Sequence, residues 1–144
     1  MKMLRYIFLG LLIAAIATGC SLLSPSGKPN QILENTDWLL ISYRGMDAIT
    51  ETESTVLFQN GEVGGFGGCN QFGGQYKLPA TGGNRIEIDD LVSTLMFCVE
   101  PEGVMEQEAA FLEILNDADR FEVANDRLKI YNSTNEVLIF KENQ

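Results

Sequence analysis

From residue 38 onward, apolar and polar positions alternate in short runs broken by turn residues. Residues 38–43 (WLLISY) are aromatic and β-branched and predict a strand. Residues 52–59 predict another, with Thr55, Leu57 and Gln59 on one face and Val56 and Phe58 on the other. Asn60-Gly61 follows at once, a strong short-range signal for a hairpin. Residues 75–78 begin a further short strand, closed by residues 79–83 (PATGG). Residues 85–91 alternate again, with Ile86, Ile88 and Leu91 inward against Glu87 and Asp89 outward. Residues 93–98 (STLMFC) have no clear period and are expected to form an irregular, largely buried segment.

Helical spacing is convincing in one place. Residues 104–118 set Met105, Ala109, Leu112 and Leu115 on one stripe, with Phe111 beside it. Glu100, Pro101, Glu102 and Glu106 stand at its start, where proline loses no needed N–H and carboxylates favour the positive end of the helix dipole. Strands at 121–124, 127–131 and 137–141 complete the pattern, around turns at Asn125-Asp126 and 132–135. A single amphipathic helix must bury its stripe on the sheet. The expected fold is therefore α+β: a curled antiparallel sheet, a half-barrel of about seven or eight short strands, packed on one helix.

Residues 61–76 (GEVGGFGGCNQFGGQY) depart from this alternation. Seven of these sixteen positions are glycine, half of the chain's 14. Glycine at that density implies backbone at positive φ or backbone closely approached by another element, and a bent or bulged strand paired with 52–59.

The first residues follow a different rule. Lys2 and Arg5 precede an uninterrupted apolar run, 6–17, and Ala17-Thr18-Gly19 leads into Cys20. That is the order of a secretory signal, and the run is shorter than the roughly 20 residues of a spanning helix. Small residues followed by cysteine resemble the lipobox of bacterial lipoproteins, with Ala17 where leucine is usual. The expectation is a signal peptide over 1–19, removed, and a Cys20 acylated with chains such as palmitate. Ordinary cleavage after Gly19, leaving a spare thiol, is the alternative. Residues 20–31, with Pro25, Gly27 and Pro29 among serines, form a linker to a domain over 32–144. Ser21 after the lipid cysteine fits outer-membrane sorting if the cell is Gram-negative, and the domain would face the periplasm or the exterior.

Charge narrows the partners. The chain carries a formal net charge of −10, and removal of 1–19 takes two cations and leaves −12. Such a surface repels phosphate backbones, so nucleic acid is not an expected partner. It also repels anionic headgroups, so the domain would stand off the membrane on its tether.

Little catalytic chemistry remains. The chain has no histidine, which excludes Ser-His-Asp and Cys-His pairs and the commonest metal ligand. No metal or cofactor is expected, since the domain offers only Cys69 and Cys98 as thiols and its glycines lack a Gly-Lys-Ser/Thr ending. In an extracytoplasmic compartment Cys69 and Cys98 are candidates for a structural disulfide, with two buried thiols as the alternative. Carboxylates are plentiful (Asp89, Asp90, Glu100, Glu102, Glu106, Glu108), but no pair is marked out for acid–base work of the glycosidase kind. Asn132-Ser133-Thr134 has the form of a glycosylation sequon and is read as a turn.

Laid out in order, these pieces resemble the META domain, the family of HslJ. Trp38-Leu39-Leu40 is similar to its opening strand, and Thr55, Phe58, Val63 and Gly65 to its hairpin. Gly68-Cys69-Asn70 with Gly74 and Tyr76 is similar to the core motif G-C-N-x-x-x-G-x-Y. Thr94, Met96 and Cys98 are similar to the S/T-x-M-x-C segment, Glu106, Phe111 and Leu115 to the helix, and Leu128, Leu138 and Phe140 to the closing strands. The extra glycines at 64, 67 and 73 and the insertion-like 81–83 depart from the family pattern. The resemblance implies a compact α+β unit, often secreted or lipid-anchored, linked in various members to stress, drug tolerance, motility or virulence without a shared reaction. It implies that Asn70 satisfies buried backbone beside the glycine bend and that Trp38 and Tyr76 pack the core. The function expected is a non-enzymatic, membrane-tethered envelope protein that binds a protein or small ligand in a stress-tolerance or envelope-maintenance role. A structural or inhibitory surface module is the alternative, and a carboxylate-dependent hydrolase a more distant one.

Overall fold

The structure, a computed structural model, describes residues 32–143; the expected signal peptide, Cys20 and the linker lie outside them. One antiparallel sheet carries the architecture. Its strands are β1 (Thr36–Tyr43), β2 (Met46–Asp47), β3 (Thr55–Gln59), β4 (Glu62–Phe66), β5 (Gln71–Lys77), β6 (Glu87–Ser93), β7 (Ala118–Ala124), β8 (Arg127–Asn132) and β9 (Val137–Glu142). Eight of them run in the order β6-β5-β4-β3-β1-β9-β8-β7, with β2 beside β1. The helix α1 (Val104–Asn116) connects the two edge strands in sequence. The α+β half-barrel read from the sequence is the fold observed.

Turn chemistry sets the register. Asn60 and Gly61 (φ 55° and 81°) join β3 to β4, and Asn125 and Asp126 (φ 51° and 57°) join β7 to β8. Two successive positive φ values are what a two-residue hairpin turn requires to match strand twist. Asn132 closes the β8–β9 turn, its buried Oδ1 accepting from the Thr134 N–H and hydroxyl and from the Glu136 N–H, so the sequon is a turn whose asparagine is buried while Ser133 and Thr134 are exposed.

The sheet curls until its edges nearly meet. Arg85 bridges to Arg120, the Ile86 N–H donates to Asp119 O at 3.1 Å, and the Phe121 N–H donates to Asn84 O at 2.8 Å. An Arg85–Asp119 ion pair straddles the same seam. The concave face is filled by the helix. Phe111 has no exposed surface and meets Phe72 and Phe140 edge-on, with centroids 5.4 and 6.1 Å apart. Ile114, Leu115, Leu128, Ile130, Leu138 and Phe140 are likewise fully buried around it. Trp38 and Tyr76 are buried in this core, Tyr76 against Phe58 at 5.1 Å.

Three expectations need correction. The glycine-rich stretch is not one bent strand but two, β4 and β5, paired with each other from Glu62↔Gln75 to Phe66↔Gln71 around a turn at residues 67–70. The helix buries Val104, Gln107, Glu108, Ala110, Phe111, Ile114 and Leu115, whereas Ala109 is exposed and Met105 and Leu112 only half-buried. The stripe was displaced because two polar residues belong to the buried face, which a count of apolar positions alone passes over. Finally, residues 92–97 are exposed rather than buried. A bulge turns Val92 outward, and residues 94–97 lie beyond the end of β6 at Ser93, outside the ladder. Gly73 pairs with Val92 but Gln75 with Asp89, so Gly74 faces two residues, and Asp90 takes φ 53°. One extra residue reverses which side chains point inward. Ile86 and Ile88 face the core, while Val92 is 70% exposed.

Candidate functional site

The turn at 67–70 forces a concentration of polar contacts. Its residues lie between β4 and β5, beyond the ladder, and buried backbone N–H groups there must find acceptors elsewhere. The acceptor is Glu108, from the inward face of α1. Its Oε2 accepts from the Cys69 N–H at 2.8 Å and the Asn70 N–H at 2.6 Å, and its Oε1 from Asn70 Nδ2 at 2.6 Å. Glu108 is 4% exposed and Asn70 3%, so these bonds lie away from solvent. The approach requires glycine: a Cβ on Gly67 would lie 2.8 Å from the Glu108 side chain, and Gly68 has φ +124°.

Asn70 is bonded on both sides. Its Oδ1 accepts from the Thr94 hydroxyl and the Met96 N–H, each at 2.7 Å, and its Nδ2 also donates to Met96 O at 3.1 Å. Cys69 adds a covalent tie to Cys98, with 5.9 Å between the Cα atoms. A second layer supports the turn. Thr52 Oγ1 donates to Gly68 O at 2.7 Å and Ser54 Oγ to Gly67 O at 2.8 Å. Gln107 Nε2 donates to Ser54 Oγ at 3.0 Å, and the Ile49 N–H donates to Gln107 Oε1 at 2.7 Å. Every buried side-chain nitrogen and oxygen among the described residues has a partner.

Of the residues singled out from sequence, Gly68, Cys69, Asn70, Thr94, Met96 and Cys98 thus converge on one cluster. Gly74 stands apart, opposite the β6 bulge, where a Cβ would lie 2.7 Å from Asp89 O. Trp38 and Tyr76 belong to the core. The Trp38 indole donates to Thr36 Oγ1 at 2.7 Å, and the Tyr76 hydroxyl donates to Glu34 Oε2 at 2.7 Å. Burial, with the Glu34 carboxylate beside it, pushes the Tyr76 phenol well above its usual range. Bonds from the Asn60 N–H and from Tyr76 hold Glu34 below the usual carboxylate value.

Glu108 and Gln107 were passed over as elements of a site, although a signal for them exists. Val104, Glu108 and Phe111 fall at helical spacing, which places a carboxylate on an apolar face, and Asn70 among glycines needs a partner for its donors.

What the cluster presents outward is apolar. The Met96 backbone is pinned at both its N–H and C=O, yet its side chain is 57% exposed, beside Leu95 (96%), Phe97 (80%) and Val99 (74%). Phe97, Val99, Glu102, Met105 and Glu106 line a shallow hollow of about 250 Å³ at the start of α1. A larger hollow, about 450 Å³, lies by the seam between Lys77, Leu78, Arg85, Ile86 and Asp119. No group of three metal-ligating side chains and no helix able to cross a membrane occurs among the described residues.

Solved structures resemble this fold at low identity. An NMR structure of a protein from Burkholderia xenovorans superposes with TM-score 0.65 at 20% identity, covering 91% of this chain and 99% of that one. A second NMR structure gives 0.62 at 21%, covering 77% and 92%. The crystal structure of a DUF4847 family protein from Bacteroides vulgatus gives 0.59 at 13%, covering 79% and 96%. At such identities the likeness is one of fold. No curated protein matches the chain. The model of the META domain matches residues 31–144, most of the chain, and the chain belongs to the META domain family.

Proposed function

We propose that this chain is a non-enzymatic, lipid-anchored envelope protein whose META domain binds a partner at its surface, in a stress-tolerance or envelope-maintenance role. The observation that carries the binding reading is the braced, exposed apolar segment at residues 92–99. Single exposed apolar side chains are ordinary, but a contiguous set on a monomer marks an interaction site. Here a disulfide and the Asn70 bonds hold that set in place. The interior offers no comparable site, since Phe111, Ile114 and Leu115 fill the curl of the sheet. The buried carboxylate is an unsuitable acid or base, because both oxygens of Glu108 are committed to the turn.

Anchoring rests on the Lys2 to Cys20 pattern. Metabolic labelling with a palmitate analogue, followed by membrane fractionation, tests it. The wild-type chain should carry label and sediment with membranes, and Cys20→Ser should lose both. An unlabelled, soluble wild-type chain would refute the anchor.

A structural or inhibitory module without a ligand is the second reading, favoured by the close packing beneath the glycines. A Cβ on Gly65 would lie 2.2 Å from Thr55 O on the paired strand, so β3 and β4 approach there too closely for any side chain. The two readings part at residues 92–99, which a purely structural module has no reason to leave outside.

A further inference from the structure

We infer that the segment 92–99 is a docking knuckle for a second protein whose receiving surface is an apolar groove flanked by Lys or Arg side chains. This rests on the binding reading above and names the partner's chemistry. Three observations support it.

The first is that the apolar side chains are presented rather than stranded. Leu95, Met96, Phe97 and Val99 are all more than half exposed, while the backbone between them is fixed by Asn70 and by Cys98. A loop held in one geometry loses little freedom on binding, so its buried area converts more fully into affinity.

The second is the rim. Glu100, Glu102 and Glu106 are exposed, and Glu102 and Glu106 share the hollow with Phe97 and Val99. None of the three joins an ion pair among the described residues. An apolar centre inside an unpaired acidic rim calls for a complementary basic rim, since matched potentials steer encounter and set register.

The third observation disfavours the other occupants. A second copy would set the same acidic rim against itself about a two-fold axis, in a chain already at −10. An anionic lipid surface meets the same repulsion.

The experiment places photoreactive benzoylphenylalanine at Phe97 of the full-length chain in intact cells, with Glu122 on β7 as the control position. Irradiation should yield a discrete adduct with a second protein from position 97 and none from 122. The partner's crosslinked peptide should carry Lys or Arg beside its apolar contact. In the Glu102→Lys/Glu106→Lys background the adduct should fall at least fivefold, with the intact-protein mass showing the disulfide and near-ultraviolet circular dichroism unchanged. An adduct at twice the chain mass, a lipid adduct alone, a protein adduct indifferent to the charge reversal, or no adduct would each overturn the proposal. Membrane fractionation of the same cells separates the two claims. An anchored chain without an adduct refutes the knuckle alone, and a soluble chain that still crosslinks refutes the anchor alone.

Discussion

The two flanks of the sheet are held together by different means. On one side, β7, β8 and β9 form a plain meander. Leu128, Ile130, Leu138 and Phe140 alternate inward with no exposed surface, and the β7–β8 connection is a two-residue turn. On the other, the turn joining β4 to β5 is rich in glycine, and the side chains packed in and against it are polar: Ser54, Asn70, Gln107 and Glu108, all at most 4% exposed. Apolar alternation supports itself through burial. Where glycine removes the side chains, stabilisation passes to side chain–backbone bonds and a crosslink. Those bonds also free the segment after β6 from the sheet while fixing its position, which alternation alone does not achieve.

The sharpest way to break the glycine flank is to give it a side chain. Gly65→Ala sets a Cβ 2.2 Å from the Thr55 carbonyl oxygen, a backbone atom of β3 that cannot move alone. The expected loss is more than about 4 kcal/mol, the exceptional end of single substitutions. Gly73→Ala is the control: its nearest neighbour is 3.9 Å away, and the expected change is within about 1 kcal/mol of zero. Urea unfolding of the two variants decides whether close approach or mere glycine content matters. Equal losses would mean the crowding is not the constraint.

Next in size is the buried carboxylate against a buried hydrocarbon. Glu108→Ala takes the acceptor from three buried donors and should cost about 3 kcal/mol or more, at roughly 1–3 kcal/mol for each group left unsatisfied. Glu108→Gln keeps the shape but turns one oxygen into a donor facing donors, and should cost roughly 1–3 kcal/mol. Leu128→Ala on the meander should cost about 2–5 kcal/mol through its cavity. The size of the losses does not separate the flanks; their locality does. Hydrogen exchange of Glu108→Gln should speed at residues 67–70 and 94–98 and leave β8 and β9 protected. Uniform acceleration would mean the network is not local.

How far each flank could be read in advance follows the same division. Val56 and Phe58, then Asn60-Gly61, specify a hairpin by periodicity and turn chemistry, and Leu128, Ile130, Leu138 and Phe140 specify the meander likewise. Both rules act between near neighbours, so both are visible in one dimension. Glu108 is different. Its place on the buried face is decided by backbone N–H groups at Cys69 and Asn70, 39 and 38 residues earlier in the chain. The family motif located Asn70, but its bonding partner on the helix came only with the fold. The apolar composition of residues 93–98 reads as burial, whereas the chain leaves the sheet at Ser93 and is held outside it by the Asn70 bonds and the Cys69–Cys98 bond.

A smaller effect comes from the crosslink. The Cys69–Cys98 bond spans 29 residues, worth about 3.5 kcal/mol on the chain-entropy model. The Cys69→Ser/Cys98→Ser variant keeps the Glu108 and Asn70 contacts and should lose that amount or somewhat less. The loss should appear first as faster exchange in residues 94–99, with the meander unaffected at low denaturant. A variant as stable as the wild type would show that the polar bonds suffice to hold the knuckle.

The smallest effect is also the one that distinguishes the flanks by pH. Tyr76 on β5 donates to Glu34, and its phenol is raised well above the ordinary value of about 10. A raised phenol means that, between the two values, the folded chain keeps a proton the unfolded chain has released. Stability therefore falls as pH climbs past about 10. Glu34 acts at the opposite end: its lowered value gives a contribution complete above the usual carboxylate range and lost as pH drops through the folded value. Tyr76→Phe removes the shared bond and should cost about 1 kcal/mol near neutrality. The gap between the variant and the wild type should then narrow at both extremes, above pH 10 because only the wild type loses Tyr76's contribution, and in acid because Glu34 no longer accepts as a carboxylate. Tyr131 on β8 is raised too, mainly by burial and by the charge of Glu122, to which its hydroxyl donates at 3.3 Å against 2.7 Å for Tyr76 and Glu34, so Tyr131→Phe should relieve the alkaline limb and change the acid limb less. If both substitutions altered the acid limb equally, the Tyr76–Glu34 bond would not be what ties the glycine flank to the residues preceding β1.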